Sequence, residues 1–149
     1  MNIQTNSHLI SFFKRTIWLT LSPIGVWMGL MAVNGYLNNA EWAVWLFLSL
    51  IVSLIIVRYV QSKWFMQSLL TGICWGIGNA LIQFIFFDTY LQNNPQLVKA
   101  FESVSNPSFF VLLFSTLYGI LIGLIIGLWV LLFRKWKILA YGKELKKPE

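Results

Sequence analysis

Four long apolar runs, each able to cross a lipid bilayer as a helix, restrict what this chain can fold into. They cover roughly 16–37, 42–60, 65–87 and 108–133. A hydrocarbon core about 30 Å thick takes about 20 helical residues. A backbone inside it must satisfy its own hydrogen bonds, and these runs lack the alternation of barrel strands, so helices are expected. Arg58 is the one charged residue within a run, and it sits near the end of its run. The sequence therefore predicts an all-α integral membrane protein, a four-transmembrane-helix bundle.

The charges orient it. Alternate placement of the four runs puts Lys14, Arg15, Arg58, Lys63, Arg134, Lys135, Lys137, Lys143, Lys146 and Lys147 on one side, against Glu144 and Glu149. Lys99 alone falls opposite, with Glu41, Asp88 and Glu102. Basic loops resist translocation, so both termini are expected in the cytoplasm (N-in/C-in), and the expected location is the cell inner (plasma) membrane. The net charge of +6 follows from this topology. It suits anionic lipid at the cytoplasmic face and not nucleic acid, which needs a basic patch on a folded surface. With 58% hydrophobic and 11% charged residues, the chain reads as one membrane domain over 1–137 and a basic cytoplasmic tail over 138–149. The first run follows Lys14-Arg15 as a signal peptide would, but it is longer than an h-region and lacks a small-x-small site, so an uncleaved span is expected.

Two connections, 34–41 and 60–63, are short and force antiparallel neighbours. The third, 88–107, has room for structure. Asn94-Pro95 and Asn106-Pro107 are helix-start signals, and Leu97, Val98, Phe101 and Val104 repeat at helical spacing. A short amphipathic helix over 95–104 on the external interface is predicted.

Small residues recur at helical spacing in three runs. Gly119, Gly123 and Gly127 share one face of the fourth, Gly72 and Gly76 one face of the third, and Gly25 and Gly29 one face of the first. In lipid the hydrophobic effect does not bring helices together, and such grooves let backbones approach. They are predicted to pack the bundle or to bind a partner, either another protein or a second copy. Asn79 and Gln83 lie one turn apart in the third run, with Ser115 and Thr116 in the fourth. These are candidates for hydrogen bonds between helices or for a polar lining.

Chemistry has little to stand on. Cys74 is the single cysteine and His8 the single histidine, so a disulfide, a CxxC pair or a clustered metal site has no residues to build on. HExxH, GxSxG and Walker patterns are absent. No carboxylate, histidine or basic residue sits near a run's centre, as a proton-coupled exporter requires. Neither an enzyme nor a cofactor is expected. The sequence points to a small non-enzymatic membrane protein that works by helix–helix association with a membrane partner. The alternative is a small transporter or channel component with a polar path along the third and fourth spans. Size, four spans and inside termini are shared by several kinds of small bacterial membrane protein, including accessory subunits and immunity proteins against pore-forming bacteriocins. That likeness is one of class, with no motif behind it.

Overall fold

The computed structural model describes residues 16–37 and 40–144, with side chains through residue 136. His8, Lys14, Arg15 and the last part of the basic tail lie outside the described residues. Among those described, the chain is helical, with no strand. The helices are α1 (Ile17–Leu21), α2 (Pro23–Val33), α3 (Glu41–Tyr59), α4 (Trp64–Ile85), α5 (Phe87–Asn93), α6 (Val98–Phe101) and α7 (Pro107–Glu144), with a 3-10 turn at Pro95–Leu97 before α6.

Three helices are long and apolar enough to cross a membrane: α3, α4 and the Pro107–Trp136 part of α7. The first predicted run is shorter, Ile17–Val33, about 25 Å at 1.5 Å per residue, and it is broken. Pro23 has no N–H to give to the Leu19 carbonyl. That oxygen instead accepts the Ser22 N–H at 3.2 Å and the Ser22 hydroxyl at 2.7 Å. Past the proline, the Gly25 N–H bonds to Ser22 at 3.0 Å, one residue closer than α-helical pairing, and this releases the Leu21 carbonyl. The Trp75 indole N–H of α4 takes it at 2.8 Å. The break thus holds the first segment against α4.

Helix α4 is the centre of the bundle. Helix α7 lies along one side of it and α1–α2 along the other, while α3 packs mainly on α7 and touches α4 far less. Trp45 of α3 closes the middle, with ring centroids 5.5 Å from Trp75 and 6.2 Å from Tyr118. Ile17, Met28, Val52, Ile56, Ile122 and Ile126 complete the core. Outward faces are apolar too. Phe47, Ile51 and Leu54 on α3, and Leu113, Leu117, Leu121, Leu124 and Leu128 on α7, are all exposed. In water, apolar faces this extended would be an aggregation liability.

The two ends of the bundle differ. At one end, the turn 60–63 carries Lys63 in a left-handed conformation, φ +53°. There Arg134 of α7 donates to the carbonyls of Val60 and Gln61, and its guanidinium lies over Trp64 at 5.4 Å. At the other end, Gly35 (φ +70°) lets the chain turn after α2; a Cβ there would come within 2.7 Å of the Asn93 carbonyl. Asn93 and Asn94 donate back to the Val33 and Ala32 carbonyls, which tie α5 onto the end of α2.

The 95–104 segment differs from the continuous helix its spacing predicts. It is a 3-10 turn followed by the single helical turn α6. Leu97 and Phe101 pack inward on the cluster of Ala32, Val33, Tyr90 and Val111, so bundle contacts decide its shape. Helix α7 also outruns its predicted bound at 133. It has 38 residues and continues through Glu144, into the stretch expected as a separate tail.

Candidate functional site

The glycines lie mostly inside the molecule. Gly72 and Gly76 of α4 meet Gly119 and Gly123 of α7 backbone to backbone. A Cβ on Gly72 would be 2.2 Å from the Gly123 nitrogen, and one on Gly119 would be 2.5 Å from the Gly76 Cα. A Cβ on Gly25 would come within 2.5 Å of the Trp75 backbone, and one on Gly29 within 2.8 and 3.0 Å of Ile82 and Asn79. Gly127 is looser: a Cβ there would lie 3.2 Å from the Phe65 ring. The α7 face that carries Gly119 and Gly123 is therefore occupied by α4 of the same chain.

The polar residues divide. Asn79 and Gln83 are buried on α4, where the Gln83 amide donates to Asn79 Oδ1 at 3.5 Å. Ser115 of α7 donates to Gln83 Oε1 at 2.9 Å. Thr116 does not join them, because its hydroxyl bonds to the Leu112 carbonyl of its own helix at 2.8 Å. Ser49 and Ser53 on α3, both buried, likewise return their hydroxyls to their own helix, at 2.7 and 2.6 Å.

Asn79, Gln83 and Ser115 open into a recess of about 520 Å³ at the end of the bundle where α3 begins, α4 ends and α7 begins. That volume is within the range of small-molecule pockets. Beside the amides stands Glu41, the first residue of α3, whose Oε1 accepts the Trp45 indole N–H at 3.3 Å. Aromatic rings supply most of the rest: Trp42, Tyr90, Phe101, Phe110, Phe114 and Tyr118. Leu97, Ala100 and Phe101 bring the third connection over it. Tyr90 is buried, and its phenol pKa is pushed up to about 12, first by that burial and then by the charge of Glu41.

The recess is closed toward the other end of the bundle. One turn beyond Ser115, α4 and α7 touch at Gly76 and Gly119, and a Cβ on Gly76 would be 2.8 Å from the Ser115 carbonyl. No room for a solute remains between the two helices there. Among the described residues, no group of three His, Cys, Asp or Glu side chains is placed to hold a metal ion. Asp88 and Glu102 do not line the recess.

The sequence places Glu41 only as one of the acids opposite the basic side and gives Tyr90 and Tyr118 no role. A signal for Glu41 was present. It precedes Trp45, Ser49, Val52, Ser53 and Ile56 at helical spacing, and these are the buried residues of α3. The tyrosines carry no such mark, because their place depends on how α5 and α7 pack.

No protein-family model, curated protein or solved structure matches the chain.

Proposed function

We propose that the protein is a non-enzymatic integral membrane protein of four spans, with both termini cytoplasmic, that works by binding at its non-cytoplasmic end. The observation that carries this reading is the recess. It is a concave, ring-lined space with buried amides and a carboxylate, it lies away from the basic end, and it is closed toward that end. Four spans are supported by the way α1 and α2 follow α4 past Trp75 to Asn79 and Ile82. The orientation is supported by the segregation of charge. Arg58, Lys63, Arg134 and Lys135 belong to one end of the helices, and Glu41, Asp88, Lys99 and Glu102 to the other.

Recognition of a membrane partner, as an accessory subunit or immunity-type protein would require, then falls to the recess and its α6 lip. The Gly119–Gly123 face is taken up internally. A transport path between α4 and α7 is disfavoured by the same glycine crossing.

Two measurements test the reading. In a Cys74→Ala background, an impermeant thiol reagent added to intact cells should label Lys99→Cys and not Lys146→Cys; the reverse pattern refutes the orientation. A photo-crosslinker at Ala100 should give a defined adduct at native expression level, while one at Leu128, on the apolar outer face, should give only lipid. Monomer alone from both positions refutes recognition at the recess.

A further inference from the structure

The chemistry of the recess is specific enough to name a ligand class, and the inference rests on the reading of that end as the binding end. The recess contains one carboxylate, Glu41, and no Lys, Arg or His among its lining residues. Glu41 has no ion-pair partner among the described residues, and the hydrogen bond its carboxylate accepts comes from a neutral indole. A carboxylate held among rings, in a chain whose surroundings are apolar, is costly until a cation joins it. The rings are the second half of the argument. The faces of Trp, Tyr and Phe attract a cation through their quadrupoles, and this attraction grows when the cation is stripped of water. Tyr90, as even a phenol of ordinary pKa would be, is neutral at physiological pH and offers a ring face without competing charge. An ammonium with small alkyl groups meets all of these features together. A metal cation does not, because the recess supplies one carboxylate and few oxygens.

We propose that the recess binds an organic ammonium group, with Glu41 as counter-ion and Trp42, Tyr118 and Phe114 as the aromatic wall. Asn79 and Gln83 form the polar floor. That group could belong to a free amphiphilic amine or to the choline headgroup of a lipid, and the chemistry of the recess is the same for both.

The test uses full-length protein in phosphatidylglycerol nanodiscs, titrated with benzyltrimethylammonium and followed by calorimetry. Saturable binding is expected, with 3,3-dimethylbutanol, an uncharged stand-in for choline, at least tenfold weaker. Glu41→Gln keeps an oxygen for the Trp45 indole and should lose at least tenfold for the ammonium while leaving the uncharged compound unchanged. Ala100→Trp, at an exposed position on the lip, should block both compounds. Equal binding of the charged and uncharged compounds, or unchanged ammonium affinity in Glu41→Gln, overturns the proposal and leaves only an apolar hollow. A choline lipid as the source is shown if dihexanoylphosphatidylcholine competes at lower concentration than benzyltrimethylammonium binds; the opposite order shows a free amine. Binding is read in nanodiscs and does not depend on orientation in cells. Correct thiol labelling and an Ala100 adduct without ammonium binding would therefore refute this inference alone.

Discussion

The crossing of α4 and α7 should tolerate no Cβ at Gly72. An alanine there would place its methyl 2.2 Å from the Gly123 nitrogen, 2.3 Å from its Cα and 2.5 Å from the Gly119 carbonyl. All three obstacles are backbone, so no rotamer change relieves them. The helices must separate by about 1 Å, and a radial gap of that size forfeits roughly a quarter to a half of the dispersion energy at each affected contact. Because packing is the main force between helices in lipid, the expected cost is at the top of the overpacking range, about 3 kcal/mol. Gly127→Ala is the internal control. Its methyl would meet the Phe65 ring at 3.2 and 3.3 Å and the Ser68 Cβ at an ordinary 3.8 Å, and all of these are side-chain atoms, the ring half-exposed. Unfolding in mixed micelles, followed by near-UV dichroism of the buried Trp45–Trp75 pair, measures both variants. Gly119→Ala should cost a similar amount, and the Gly72/Gly119 double variant should cost less than the sum, since one separation relieves both clashes. If Gly72→Ala unfolds where Gly127→Ala does, the backbone contact is not what holds α4 to α7.

The proline break makes a second expectation. Trp75→Phe removes the indole bond to Leu21 and should destabilise by about 1–3 kcal/mol, because a freed carbonyl is left without its donor; Trp27→Phe, on an exposed ring, should change nothing, and equal melting of the two variants would refute the role of the bond. A third concerns alkali. Burial raises the Tyr90 pKa from 10.0 to about 12, so the folded state favours the neutral phenol, and that stabilisation is complete below pH 10 and is lost as the pH rises through 12. The phenolate absorbance that disappears in Tyr90→Phe should therefore titrate near 12, and lower in Glu41→Gln; titration at the ordinary value would contradict the burial.

The helices of this fold were legible because their signals are local. Apolar runs locate α3, α4 and α7 to within a few residues at most ends, and the glycine spacing marks the faces that meet. A proline inside an apolar run, as at Pro23, marks a bend. Its consequence did not follow from the sequence, because the Leu21 carbonyl finds Trp75 only once α1 lies against α4. The third connection shows the same limit: Leu97, Val98, Phe101 and Val104 have helical spacing, yet packing on Tyr90 and Val111 cuts the helix to one turn. Half of the recess was visible, in Asn79, Gln83 and Ser115. The other half joins the start of α3 to α5 and α7, a meeting of distant segments that periodicity within one segment does not encode.

The dependence of α3 on α7 has a consequence for biogenesis. The ribosome makes α3 and α4 in succession, but α3 finds most of its neighbours on the last helix, and the carbonyls of Val60 and Gln61 wait for Arg134. The nascent protein must therefore keep α3 largely unpacked, with its end unsealed, until synthesis is almost complete. A chain truncated before residue 134 would insert its early segments and still lack the part that locks them.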